Sequence, residues 1–146
     1  MERNLAHRYD KRLMTKNIYN GMELGPLMPS DAEVLKAIIV ATNPKIVVEF
    51  GHFWGASAKA MVSVMETDAE LHSFDNTKDG KIDDPRFHFY KQSQETITGI
   101  DNIDFVFLDA SHDLELNKAT FQALQGHLNE KAIIAVHDTG TWIGGN

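Results

Sequence analysis

Lys45 to Ser57 read KIVVEFGHFWGAS, and this stretch leaves few folds open to the chain. Ile46, Val47 and Val48 form a β-branched run without polar alternation, as in a strand buried on both faces of a parallel sheet. Glu49 then ends the strand, and Gly51 and Gly55 punctuate a tight turn. Beyond the turn Ala58, Met61, Val62 and Met65 fall on one apolar helical stripe. Strand, glycine turn and helix form the unit with which open α/β sheets hold a nucleotide-like ligand at the carboxyl ends of their strands. The spacing is Glu-x-Gly-x-x-x-Gly-x-Ser rather than Gly-x-Gly-x-x-Gly, and Phe53 stands where a pyrophosphate-binding loop has its second glycine. The Glu49 carboxylate would repel a phosphate and suits a ligand carrying positive charge. A glycine turn made for packing alone is the competing reading.

Composition narrows the partners. With 146 residues, 42% hydrophobic and 24% charged, the chain reads as one domain, 1–146, able to bury a core. A net charge of −7 without a basic stripe argues against nucleic acid. The absence of cysteine excludes disulfides, thiolate catalysis and thiolate metal sites. No apolar run reaches membrane-spanning length and MERNLAHRYDKR is not a secretory signal, so a cytoplasmic protein without membrane contact is expected.

The first 29 residues suggest a short helix with Leu5, Tyr9 and Leu13 on one side. After it comes a lid-like segment with Met22, Leu24, Leu27 and Met28, either covering a ligand or packing on the core. Ser30 and Glu33 have capping-box spacing, Val34, Leu35, Ile38 and Ile39 form the next helical stripe, and Asn43-Pro44 stops it. Glu70 to Asp75 is a second strand ending in an acid, some two dozen residues after Gly51, where a carboxylate accepts from both ribose hydroxyls of a nucleotide-like ligand. An ordinary turn acid is the alternative. Residues 76–85 are too few for a full crossover helix before a third strand, Arg86 to Tyr90. Gln92, Ser93 and Gln94 then offer hydrogen bonds to a base edge, unless Ser93 simply caps a short helix.

Ile103 to Asp109 is a fourth strand ending in an acid, followed by Ser111, His112 and Asp113 and a helix with Phe121, Leu124 and Leu128 on its stripe. Lys131 to Val136 is a fifth strand running into His137, Asp138 and Thr139. Adjacent strands thus deliver Asp109, His112, His137 and Asp138 to the ligand-binding edge. Capping and turn formation account for part of that cluster, and a site accounts for all of it.

The ordered set VVEFGHFWGASA, ELHSFD, IDFVFLDASHD and AIIAVHDTG resembles the class I S-adenosylmethionine-dependent methyltransferases, nearest to the bacterial O-methyltransferases of the cephalosporin hydroxylase-like, macrolide sugar methyltransferase group. The resemblance runs from about Leu27 to Thr139. It implies an α/β Rossmann-like fold, a parallel sheet of order 3-2-1-4-5 with helices on both faces. It implies Glu49 near the cofactor ammonium, Gly51 and Gly55 against its methionine part, Ser57 near its carboxylate, Asp75 on the ribose and Ser93 by the adenine. It also implies Asp109 and Asp138 as ligands of a divalent metal such as Mg2+, and His112 as general base beside Asp109. His137 replaces a common Glu, which points to a different divalent ion or none. The chain stops after the fifth strand, so the usual antiparallel sixth and seventh strands are not expected. Truncation or a homo-oligomer covering the open edge would account for that.

The expected function is therefore methyl transfer to a hydroxyl of a small-molecule acceptor. The alternative is a non-catalytic or truncated cofactor-binding module. Phe53 and Glu49 speak against a dinucleotide-dependent oxidoreductase.

Overall fold

The computed structural model describes residues 18–19, 22–23, 27–77, 80–111 and 113–137. Five strands, β1 (Ile46–Phe50), β2 (Glu70–Phe74), β3 (Phe87–Tyr90), β4 (Ile103–Leu108) and β5 (Leu128–Val136), form one parallel sheet in the order β3-β2-β1-β4-β5. This is the expected 3-2-1-4-5 topology of a Rossmann-like methyltransferase fold. Among the described residues the sheet has no sixth or seventh strand. A separate antiparallel pairing joins Ile18–Tyr19 to Met22–Glu23.

The apolar runs of β1 and β4 are explained by cores on both faces of the sheet. On one face Val47, Leu71, Phe105 and Phe107 pack under helices α1 (Pro29–Thr42) and α2 (Ala56–Val62). On the other, Val48, Phe50, Phe74, Val106 and Leu108 pack with Ile97, Ile100 and Leu124, the last from helix α3 (Leu114–Leu124). The crossover from β2 to β3 contains no helix among its described residues, and a single 3-10 turn, Gln94–Thr96, follows β3. No helix among the described residues is long and apolar enough to cross a membrane.

Several local expectations need correction. β1 continues through Glu49 to Phe50, because Phe50 is fully buried and pairs with Leu108. The capping box does not form: Met28 is the N-cap residue, Pro29 opens α1, and Ser30 Oγ reaches only Asp31. Proline fits the first helical position because its missing N–H would have no partner there. Val34 is exposed, and Ala32, Leu35 and Ile39 carry the buried face. Asn43 does end α1, in the left-handed conformation. Leu128 belongs to β5, which starts three residues before Lys131, and Phe121 is exposed.

The early start of β5 is explained by Asp104. Its Oδ2 accepts the amides of Lys45 and Ile46 at 2.8 and 3.1 Å, and its Oδ1 accepts from Asn129 Nδ2 at 2.9 Å. One carboxylate at the beginning of β4 thereby aligns the beginnings of β1 and β5.

Candidate active-site cleft

The carboxyl ends of β1, β2, β4 and β5 border a cavity of about 420 Å³. The turn after β1 forms one wall. Gly51 has φ +99°, donates its amide to Phe74 O at 2.9 Å, and packs so closely on the end of β4 that an added Cβ would lie 2.4 Å from Asp109 O. Only glycine satisfies both the conformation and the clearance. Phe53, left-handed at φ +48°, is held by its amide, which donates to Asp75 Oδ2 at 2.8 Å. The other oxygen of Asp75 accepts from the Thr77 amide and hydroxyl at 2.8 and 2.9 Å. Asp75 thus lines the cleft and braces two of its loops. Phe53 and Trp54 stack with ring centroids 4.6 Å apart, both partly exposed at the rim, while buried Leu27 closes the cavity from the N-terminal side.

Glu49 does not reach the cavity lining. It is fully buried, accepts hydrogen bonds from the hydroxyls of Ser57 and Ser73, and has His52 Nδ1 3.3 Å from Oε2. A buried carboxylate needs such donors; here they fasten α2 and β2 to β1 beneath the cleft floor. Ser57 lines the cavity while giving its hydroxyl to Glu49, and Gly55 lies behind the turn, where an added Cβ would meet the His52 ring at 2.9 Å. His52 and Ser73, which sequence reading passed over, complete this support.

The opposite wall brings acid and imidazole together. Asp109 and His137 follow β4 and β5, their amides bonded to Phe50 O at 2.8 Å and Leu108 O at 3.0 Å. His137 Nδ1 lies 3.2 Å from Asp109 Oδ1 and its Nε2 3.4 Å from Asp31 Oδ2. Asp31, in the first turn of α1, gave no sequence signal because its partner is more than a hundred residues away. His112 and Asp138 lie outside the described residues.

Ser93 and Gln94 line the far end of the cavity. The Ser93 hydroxyl bonds Glu95, and although Ser93 precedes the 3-10 turn it makes no side-chain cap there. Gln94 is buried and donates from Nε2 to Asn117 Oδ1 at 2.8 Å and Thr120 Oγ1 at 2.7 Å, while its Oε1 has no partner among the described residues. Thr120 gives its own hydroxyl proton to Leu116 O, so it can only accept from Gln94, which fixes the amide orientation. Asn117 in turn donates to Ser111 O at 2.9 Å. Among the described residues no lysine or arginine lines the cavity.

Solved structures share this architecture at low identity. A methyltransferase from Geobacter sulfurreducens superposes with TM-score 0.60 and 12% identity over 76% of this chain and 61% of its own. The O-methyltransferase of Bacillus cereus, in complex with SAH, gives 0.61 and 14%, covering 75% and 56%. TomG, the O-methyltransferase of Streptomyces achromogenes involved in tomaymycin synthesis, in complex with SAM, gives 0.58 and 14%, covering 78% and 57%. The chain therefore spans less than two thirds of the length of each. No curated protein matches it. Residues 48–139, well over half of the chain, match the family described as "Methyltransferase domain", and the chain belongs to that family.

Proposed function

We propose that the cleft binds S-adenosylmethionine and that the protein transfers its methyl group to the hydroxyl of a small-molecule acceptor. The observation that carries this reading is that Asp75, at the end of β2, and Ser93 and Gln94, beyond β3, line one and the same cavity. Polar side chains at Ser93 and Gln94 suit a base edge, and a carboxylate is the natural acceptor for a ribose hydroxyl. The described part of the lining, without lysine or arginine, suits a cationic sulfonium better than a pyrophosphate.

When bound, the cofactor supplies an electrophilic methyl group on a positively charged sulfur. The chain's own residues do the rest. Gly51 and the Phe53 turn shape the wall against the methionine part, and Glu49, through Ser57, holds that wall in place. Leu27, Phe53 and Trp54 restrict water at the mouth. His137 takes the proton of the acceptor hydroxyl on one ring nitrogen while a carboxylate, Asp31 or Asp109, orients the ring from the other. The resemblance assigns that role to His112, which stays the alternative base.

Asp109 and His137, with Asp138, would hold a divalent ion, which would lower the pKa of the acceptor hydroxyl. Their mixed oxygen and nitrogen set suits manganese, iron or zinc better than magnesium. Both His137 nitrogens lie near carboxylates, so the nitrogen that takes the acceptor's proton must first part from one of them.

Calorimetry with S-adenosylmethionine, its demethylated product and NAD, followed by methyl transfer to a panel of hydroxyl acceptors with and without chelator, tests the proposal. Binding of the first two and chelator-resistant transfer are expected, with His137→Gln slower by about 10²–10⁴ at unchanged cofactor affinity. Binding without any transfer would identify a cofactor-holding module, and preference for NAD would overturn the reading.

A further inference from the structure

Away from the cleft, β2 and β3 place three ligating side chains on one face of the sheet. His72 and His88 are register partners on the paired strands, their rings stacked at 4.9 Å. Glu70 precedes His72 by two positions and so projects from the same face. Its Oε2 lies 3.2 Å from His72 Nε2 and 3.8 Å from His88 Nε2, and one ligand atom from each of the three residues falls within 4.8 Å of the others. A tetrahedral zinc ion, with bonds of about 2.0–2.2 Å, holds its ligand atoms roughly 3.3–3.5 Å apart. The two carboxylate–imidazole separations bracket that edge.

The surroundings of His72 also favour a ligand role. Its Nδ1 sits 3.0 Å from the Tyr90 hydroxyl, so Nδ1–H can donate to the tyrosine oxygen while Nε2 turns a lone pair toward Glu70 and His88. Metal-binding imidazoles are oriented in this way by a partner on the second nitrogen. His72 is buried, whereas the side chains of Glu70 and His88 are 51% and 40% exposed, which leaves room for ion entry and for water at the remaining coordination position. An ordinary polar sheet edge accounts less well for the set, because a single carboxylate oxygen serves both imidazoles.

We propose that Glu70, His72 and His88 form a binding site for a first-row transition-metal dication, zinc foremost, that clamps β3 to β2. Two imidazoles and one carboxylate suit zinc, cobalt or nickel, and they are a poor match for magnesium or calcium, which prefer oxygen ligands. A clamp has most effect here because β3 has four residues, none of them fully buried, and pairs only with β2 among the described strands. Glu70 stands five residue steps, about 16 Å, from Asp75, and none of the three ligands lines the cleft, so the site is independent of the methyl-transfer reading.

The test uses tag-free protein, stripped with chelator, then titrated with ZnCl2 by calorimetry and melted with and without Zn2+, with MgCl2 as control. One equivalent that depends on His88 and Glu70 is expected, with Tm rising by about 5–10 °C at a hundredfold excess over Kd. Mg2+ is expected to leave Tm unchanged. The exposed-site variants His88→Ala and Glu70→Gln should each weaken that equivalent at least tenfold while melting like the metal-free wild type. Co2+ should give a visible absorption that His88→Ala abolishes. His137→Gln should retain the equivalent. Wild-type zinc affinity in both His88→Ala and Glu70→Gln, less than half an equivalent bound, or loss of the equivalent in His137→Gln would overturn the proposal.

Discussion

Gly51 and Gly55 sit in one turn, and the structure separates their duties. At Gly51 the obstacle to a side chain is backbone, Asp109 O and Ala110 Cα, which cannot move without shifting the end of β4. Gly51→Ala should therefore cost about 2–4 kcal/mol in urea unfolding, combining left-handed strain with overlap. At Gly55 the obstacle is the edge of the His52 ring, and Gly55→Ala should cost about 1–2 kcal/mol, close to the conformational term alone. Equal losses at the two positions would contradict the contact geometry. Asp75→Ala removes both the proposed ribose acceptor and the brace on Phe53 and Thr77. Affinity for S-adenosylmethionine should fall by about 1.5–3 kcal/mol in calorimetry, and an unchanged affinity would take Asp75 out of the site.

Between elements, Arg86 does work that no spacing rule reveals. Its guanidinium donates to Met65 O at 2.7 Å, Glu66 O at 3.2 Å and Val62 O at 3.0 Å, satisfying carbonyls at and beyond the end of α2. It also grips both oxygens of Asp84, at 2.9 and 2.7 Å. Arg86→Ala should destabilise by about 2–3 kcal/mol, and Arg86→Lys should restore less than half, since an ammonium lacks the planar fork. The hydrogen bonds from Arg86 hold the Asp84 carboxyl below the usual carboxylate range and raise the Arg86 pKa. A carboxyl whose folded pKa is depressed adds stability above its unfolded pKa, about 3.9, and loses it as pH falls through the folded value. The gap between wild type and Asp84→Asn, about 1 kcal/mol after solvent screening, should stay constant from about pH 5 to 8 and close below about pH 4.

Strand identity was legible because β1 and β4 are buried on both faces and their apolar runs are uninterrupted. Element ends were less legible wherever a distant group set them. Asp104 extends β5 back to Leu128, and Pro29 takes the helix start from Ser30. Burial holds the His72 imidazole below its ordinary range, assisted by the charge of His88 and opposed by Glu70. Sequence reading gave no notice of that pair because the register of β2 against β3 alone makes them neighbours.

At the scale of the molecule, the topology explains how much of the site could be read. Glu49, Asp75, Asp109 and His137 all lie at or near strand ends, so a correct sheet order gathers them. Sequence could not show that Glu49 points below the cleft or that Asp31 reaches His137. The fifth strand, which pairs only with β4 among the described strands, exposes Ile133 and Val136. Such an edge favours self-association of the 146-residue chain. Light scattering should report a dimer or larger species, returned toward monomer by Ile133→Lys, and a monomer at high concentration would remove the expectation.

The contact between Asp31 and His137 joins the first described helix to the end of the last described strand. A pocket closed by segments so distant in sequence carries a large loop-closure entropy and cannot be finished until β5 has emerged and docked. The proposed ligand-binding competence should therefore arise only after β5 docks and be lost under mild denaturant ahead of the central sheet. Native-state hydrogen exchange should show the His137 amide, bonded to Leu108 O, opening at lower free energy than the amides of Val47 and Val48. Added S-adenosylmethionine should narrow that difference, because a ligand that binds only the closed pocket makes its opening more costly.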